Sequence, residues 1–282
     1  MKKILAVSGG IDSVVMLHMF RNDPEAVVAH FDHGIRDCSS DDCRFVESLA
    51  KKYNLPFFSE RIYLGPSCSE ARARSARYAF LRSLSARLDG IIYTAHHQDD
   101  LIESIAINLI RGTGWRGLIP FRDASVERPL LSWPKREIYR YASQHALSFR
   151  LDASNTDNRY LRNRVRRYLR NLPATQYDTL VNAISALYRR QTNLATDIEA
   201  NLAALPLSSP YSRQAIALLD APVAIEILRY LFARYDIHLT RPQLTRCLSA
   251  IRTYRPDSLF SINRSWFLKF GRQHFSIISA SA

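Results

Sequence analysis

The chain has 282 residues, room for two domains of ordinary size. Hydrophobic residues make up 47% and charged residues 23%, a balance able to bury a sizeable core, while 39 Lys+Arg against 26 Asp+Glu leave a formal charge of +13. No stretch approaches the ~18 uncharged apolar residues of a membrane span. Only four apolar residues separate Met1-Lys2-Lys3 from Ser8-Gly9-Gly10, too few for a signal-peptide core. Cys38, Cys43, Cys68 and Cys247 contain no C-x-x-C pair, so reduced thiols and a cytoplasmic location are expected, with no membrane partner. Of the bases, 33 are Arg and 6 are Lys. A planar, bidentate donor fork suits phosphates and stacks on bases, which makes nucleic acid a leading partner, although a genome favouring Arg codons gives the same bias.

Ile4-Leu5-Ala6-Val7 reads as a short buried strand stopped by Gly9-Gly10, and helical spacing follows from Asp12 to Phe20. A second apolar run, Ala26 to Phe31, ends at Asp32-His33-Gly34. Helical patterning returns over about 40–53, a weaker strand covers Pro56-Phe57-Phe58, and Glu70 to Leu88 forms an Arg-rich helix. Ile91 to Ala95 is the next strand, followed by a helix from about Gln98 to Arg111. The alternation predicts an α/β fold with a doubly wound, mostly parallel sheet, whose ligands sit beyond the carboxyl ends of the strands. Three polar clusters, Ser8–Ser13, Asp32–Arg36 and His96–Asp100, fall at three such ends and are expected to converge on one crevice.

After Pro134 the pattern turns helical over 134–146 and 159–170, and Thr175 to about Leu202 reads as one long helix. Pro206, Ser208, Ser209 and Pro210 suggest a linker. The expectation is a domain over 1–205, with a helical extension, and a smaller, mainly helical domain over 211–282. The latter has helices at 221–235 and 241–252 and short strands at Ser258–Ile262, Trp266–Phe270 and His274–Ile278.

Ser8-Gly9-Gly10-Ile11-Asp12-Ser13 lies at a strand-to-helix turn. Glycines permit close backbone approach, the helix start aims amide donors at an anion, and Ser8 and Ser13 add hydroxyls. Asp12 would repel a bare phosphate, and a divalent cation between them resolves that repulsion. An ordinary βα turn with Asp as a helix cap fits the same residues. Asp100 and Glu103 are spaced i, i+3, so two carboxylates share one helical face, where they can hold an ammonium or where the helix dipole can simply favour them. His96 and His97 beside Asp99 and Asp100 make a poor transition-metal set. Arg162 to Arg170 holds five arginines within nine residues, with Tyr160 and Tyr168 interleaved, which suits an RNA backbone with stacked bases or an exposed amphipathic helix.

S-G-G-x-D-S after the first strand resembles the signature of the PP-loop ATP pyrophosphatases, which split ATP into AMP and pyrophosphate while adenylating a substrate. Within that superfamily the later motifs resemble those of the tRNA(Ile)-lysidine synthase family. They are Asp32-His33-Gly34-Ile35-Arg36, Glu70 with Ala73-Arg74 and Arg77-Tyr78, and His96-His97-x-Asp99-Asp100 with Glu103. Arg111-Gly112-x-Gly114-x-x-Gly117-Leu118, Arg128-Pro129-Leu130-Leu131, and Asp152-x-Ser154-Asn155 with Arg162-Asn163-Arg164-Val165-Arg166 complete the order over roughly residues 7–170. Leu101 and Ser104 stand where that family often has Gln and Thr.

The resemblance implies an adenine nucleotide alpha-hydrolase-like fold and a ligase that adenylates the C2 oxygen of the wobble cytidine in a CAU-anticodon tRNA(Ile). The amine of free L-lysine then displaces AMP. It implies ATP held by Ser8, Gly9, Gly10, Ile11, Asp12, Ser13, His33 and His96, with Mg2+ at Asp12, and lysine held by Asp100 and Glu103. Asp12, Arg77, Asp100 and Glu103 become the catalytic candidates, Arg111, Arg162 and Arg166 the tRNA contacts, and a homodimer is one assembly it allows. A PP-loop tRNA thiolase is the nearest alternative, disfavoured by the missing C-x-x-C, and a noncatalytic tRNA-binding protein the next.

Overall fold

A computed structural model describes residues 1–34, 39–63, 65, 68–123, 125–150, 161–205 and 207–280, apart from the side chains of Ser39, Ser40 and Glu70. Ile35, Arg36, Asp152, Ser154, Asn155, Tyr160 and Pro206 therefore lie outside the described residues. The chain divides into two compact units, Met1–Thr192 and Asn193–Ala282.

The first unit runs β1 (Lys2–Ala6), α1 (Ile11–Met19), β2 (Ala26–Asp32), α2 (Ser39–Lys52), β3 (Phe57–Arg61), α3 (Glu70–Leu88), β4 (Gly90–Tyr93), α4 (Gln98–Ile110), β5 (Val126–Glu127), α5 (Lys135–Gln144) and α6 (Leu161–Arg170). The 31-residue α7 (Ala174–Ala204) crosses the division. The five strands form a parallel sheet in the order β3-β2-β1-β4-β5. Alternating side chains explain how it is covered on both faces. Leu5 and Val28 join a core with Val14, Val15 and Leu17 of α1 and Val46 and Ala50 of α2. Ile4, Val27 and Ala29 instead meet Leu81 and Leu84 of α3. The chain winds outward from β1 to β3, then returns to place β4 on the other side of β1. That reversal separates the loops after β1 and β4, opening a crevice at the carboxyl ends.

Two features depart from the periodic pattern. The third strand extends to Arg61, because Ser59, Glu60 and Arg61 pair with His30, Phe31 and Asp32 through the backbone while their side chains remain exposed. A two-residue β5 pairs with Ile92 and Tyr93 and is too short for a hydrophobic rhythm.

A separate core joins α4, α6 and α7: Leu101, Ile102 and Ile105 pack with Val165, Leu169, Val181 and Ile184. Val165 and Leu169 are i, i+4 on α6, and so are Arg162 and Arg166, so burying the apolar pair also fixes where the two arginines emerge.

The second unit contains β6 (Tyr211–Ser212), α8 (Arg213–Ala217), α9 (Ala221–Ala233), α10 (Arg241–Thr253), β7 (Leu259–Ser261), β8 (Trp266–Phe270) and β9 (His274–Ser279). Its antiparallel sheet has the order β6-β9-β8-β7. Leu228, Leu231 and Phe232 of α9 pack with Leu244 and Leu248 of α10 and Leu268, Phe270 and Phe275 of the sheet; Leu202 from the end of α7 joins them. No helix among the described residues is long and apolar enough to cross a membrane.

Candidate active site

The loop after β1 is built as an anion seat. Gly9 has φ +89°, a conformation that strains residues with a Cβ. Ser13 Oγ donates to the Gly10 carbonyl at 2.8 Å and lies 3.2 Å from Ser8 Oγ, and the Ser8 amide donates to Ser13 Oγ at 3.2 Å. Gly10 precedes α1 in extended geometry with no side-chain cap, which leaves first-turn amide donors for a ligand. Ile11 and Ser13 are buried, whereas Ser8 is exposed.

Asp12 opens toward a polar chain of residues. Lys135 Nζ, from the first turn of α5, lies 2.5 Å from Asp12 Oδ1. The same oxygen is 3.8 Å from His97 Nε2, which in turn lies 3.5 Å from Asp100 Oδ2. The backbone amide of His97 donates to Asp100 Oδ2 at 3.1 Å, tying the start of α4 to that carboxylate. His97 is only 6% exposed, and its Nδ1 has no hydrogen-bond partner. The imidazole therefore lies between the Asp12 and Asp100 carboxylates.

Asp100 and Glu103 share a face, as their spacing predicts, and that face meets α6. Arg162 Nη2 donates to Asp100 Oδ1 and Arg162 Nε to Glu103 Oε2, each at 3.1 Å. Arg166 grips Glu103 with both arms, Nε to Oε1 at 2.6 Å and Nη2 to Oε2 at 2.9 Å. Glu103 is 3% exposed, and the three hydrogen bonds it accepts from the two guanidiniums satisfy both of its buried oxygens. Burial pushes the Asp100 carboxyl upward, yet His97, Arg162 and His96 with the His97 amide outweigh it and hold the group below the ordinary range. The Glu103 hydrogen bond raises the Arg166 guanidinium against the opposing effect of burial. Next to this cluster, Tyr177 of α7 donates to Asp99 Oδ1 at 3.2 Å; burial, then the Asp99 charge, raises the phenol.

The expected nucleotide-facing imidazoles occupy two other strand ends. His96 lies 2.9 Å from Thr94 Oγ1 through Nδ1 and stacks near Phe121 at 4.9 Å. Burial foremost, with Arg74, Arg128 and Arg77 adding to it against the opposing Asp100, pushes its pKa down to about 3, so the ring is neutral at neutral pH. His33 packs edge-on to Phe31 at 4.9 Å, and its Nδ1 is buried without a hydrogen-bond partner. Burial and then Arg77 lower this imidazole as well. Arg77 thus acts electrostatically on both rings. Asp32 is structural: Oδ1 accepts from the Gly34 amide at 2.8 Å, fixing the turn in which Gly34 has φ +61°, and Oδ2 pairs with Arg61.

The remaining expected residues are distributed differently. Arg162 and Arg166 turn onto the carboxylates expected to hold lysine. Arg111 caps the opposite end of α4, about 16 Å along the helix from Asp100 and about 12 Å from Glu103 at 1.5 Å per residue, and is exposed. Arg128 donates to the carbonyls of Phe121 at 3.1 Å and Val126 at 2.8 Å, a local clamp. Lys135 is the residue that motif reading misses. It is one of six lysines in an Arg-rich chain and follows Pro134 at a helix start, but nothing local ties it to Asp12. Among the described residues no three His, Cys, Asp or Glu side chains cluster as metal ligands. A magnesium ion held chiefly by substrate phosphates and water needs only one or two carboxylates. Asp12 offers one such carboxylate, with Lys135 Nζ seated on its Oδ1 and His97 Nε2 near the same oxygen.

The PP-loop domain profile matches residues 1–172 of the chain. The tRNA(Ile)-lysidine synthase of Nitrosomonas europaea is 32% identical over 91% of this chain and 60% of its own length. The bifunctional protein TilS/HprT of Listeria monocytogenes is likewise 32% identical, over 91% of this chain and 44% of its own. The chain thus spans less than two thirds of either relative. Among solved structures, the U34-tRNA thiolase NcsA from Methanococcus maripaludis, determined with its [4Fe-4S] cluster, superposes with a TM-score of 0.55 at 18% identity. That similarity covers 68% of this chain and 72% of the thiolase and concerns the fold. The glycine loop after β1, the sheet order that opens a crevice beside it and the match across residues 1–172 agree, and the chain belongs to the PP-loop domain family.

Proposed function

We propose that this protein is a tRNA(Ile)-lysidine synthase, a ligase that uses ATP and L-lysine to modify the wobble cytidine of a CAU-anticodon tRNA(Ile). The observation that carries this reading is the polar path from the loop after β1 through Asp12 and His97 to Asp100 and, by way of Arg162, to Glu103. It joins a seat for phosphates to a seat for an ammonium. The lysidine synthases among the relatives, including that of Thermus thermophilus at 33% identity over 79% of this chain, support the choice of reaction.

In the first step the cytidine C2 oxygen attacks the α-phosphorus of ATP, and pyrophosphate leaves. The α1 amides with Ser8 and Ser13 hold the phosphates, Lys135 and Arg77 supply positive charge, and neutral His96 and His33 line the nucleotide side. A magnesium ion at Asp12, when bound, would neutralise phosphate charge. In the second step the lysine ε-nitrogen bonds to C2, and the C2–oxygen bond breaks to release AMP. Asp100 and Glu103 orient the amine and accept its proton. Because Arg162 and Arg166 occupy those carboxylates, the incoming ammonium exchanges with a guanidinium, and a freed arginine can turn to an RNA phosphate.

The test is incubation of the purified chain with ATP, magnesium, radiolabelled lysine and CAU-anticodon tRNA(Ile). Lysine attached to the tRNA is the expected result. Folded protein that attaches none to authentic tRNA contradicts the proposal, and sulfur transfer under thiolation conditions would reassign the chain to the thiolases.

A further inference from the structure

The second unit holds a cavity of about 380 Å³ among α8, the end of α10 and the turn joining β8 to β9, lined by Ser212, Arg213, Arg252, Arg272, Gln273 and His274 together with aliphatic neighbours. Its volume falls in the roughly 300–1,000 Å³ range of small-molecule pockets. Its chemistry is one-sided. Arg213 donates through Nε and Nη2 to the Ile251 carbonyl at 3.1 and 2.8 Å, through Nη2 to Tyr254 at 2.8 Å and through Nη1 to Gly271 at 3.1 Å. The same guanidinium lies over the Phe270 ring at 5.1 Å. Arg252 is held by the Ala217 carbonyl at 3.2 Å and the Leu219 carbonyl at 2.8 Å. Carbonyl oxygens orient these groups without cancelling their formal charge. Among the described residues no carboxylate pairs with Arg213, Arg252 or Arg272, and none lines the cavity.

The geometry points to a binding site for a phosphomonoester, carried either by a free nucleotide or by the 5′ end of an RNA. Two guanidiniums are fixed in advance, so little side-chain ordering remains when an anion enters. Arg252 keeps N–H donors beyond those on the carbonyls, and exposed Arg272 has all of its own available. A phosphomonoester presents three oxygens and up to two charges, matching the remaining donors of Arg252 and Arg272 and the uncompensated charge of Arg213 better than a diester, which exposes two oxygens and one charge. This inference does not depend on the reaction assigned to the crevice.

The experiment uses the full chain and short oligoribonucleotides of one sequence bearing a 5′-phosphate or a 5′-hydroxyl, compared by fluorescence anisotropy, with AMP binding measured by calorimetry. The 5′-phosphorylated RNA is expected to bind about tenfold tighter, and Arg272→Gln or Arg252→Gln should erase that advantage. Because Arg272 is exposed, Arg272→Gln is the variant least expected to disturb folding. AMP binding lost in these variants, without a 5′-phosphate advantage, would identify a free nucleotide as the ligand; AMP binding that survives them belongs to the ATP crevice. Equal binding of the two RNAs with AMP binding untouched by either variant overturns the proposal. Equal weakening of both RNAs by Arg272→Gln, with AMP binding untouched, also overturns it and indicates backbone contact instead. ATP-dependent lysine transfer plays no part in these readouts, so failure here is separable from failure of the proposed reaction.

Discussion

The arginines of α6 and those around the C-terminal cavity carry the same charge into different settings. Arg162 and Arg166 meet buried carboxylates, which consume both their donors and their charge. Arg213 and Arg252 meet main-chain carbonyls, which fix their direction and leave the charge uncompensated. A basic stretch is therefore not by itself a binding surface. The partner that holds each guanidinium decides whether its charge is neutralised or left uncompensated.

The largest expected difference between the two settings is in stability. Glu103→Ala leaves Arg162 and Arg166 facing a buried site with one carboxylate fewer and should destabilise the first unit by about 3–5 kcal/mol. Arg166→Ala should have a similar effect, because Glu103 then loses both bonds from that side chain. In denaturant unfolding the double variant should cost clearly less than the sum of the two single changes. Additive losses would show that the two side chains do not act as one unit.

Next in size is the effect of Ile102→Ala, which removes a fully buried side chain from the α4–α6–α7 core. A loss of about 2–5 kcal/mol is expected, accompanied by weaker lysine use because α6 loses part of its seat. Stability loss with unchanged lysine kinetics would mean that the α4–α6 packing does not set the site geometry.

A smaller effect, confined to the first unit, is read by pH: His18 lies in the last turn of α1 against Tyr141, and His96 follows β4. Burial, with Arg21 adding to it, holds the His18 imidazole down at about 4, and burial holds His96 at about 3, against an ordinary 6.5. The unfolded chain takes up these protons near pH 6.5 while the folded chain does not. Stability is therefore complete above that pH and declines as pH falls toward the folded values. The urea midpoint should drop between about pH 7 and about pH 5, and His18→Gln should flatten that drop. A pH-independent midpoint in the parent chain contradicts the assignment. Smallest of all, Arg272→Gln should change stability by no more than about 0.5 kcal/mol, as its side chain is exposed and has no partner among the described residues.

The strands flanking the crevice were legible because β1, β2 and β4 are buried runs, each ending in polar residues. The α4 carboxylates were legible because a helix converts i, i+3 spacing into a shared face. Lys135 was not, since its approach to Asp12 spans 123 positions and no local rhythm encodes that pairing. The inward turn of Arg162 and Arg166 was also hidden: the sequence presents five arginines as one basic run, and only the burial of Val165 and Leu169 decides which of them face α4. Strands such as β5 and β6, each two residues long, are defined by their partners and have no pattern of their own.

The central claim is that one crevice performs two steps, with Asp12 serving the first and Asp100 the second. Its most direct test measures pyrophosphate release and lysine attachment side by side, with CAU-anticodon tRNA(Ile) present, in the parent chain, Asp12→Asn and Asp100→Asn. Asp12→Asn should lose both products by at least about a hundredfold. Asp100→Asn should retain pyrophosphate release while losing lysine attachment. If Asp100→Asn attaches lysine at the parent rate, or if both variants merely bind tRNA more weakly, the two-step division of the crevice is wrong.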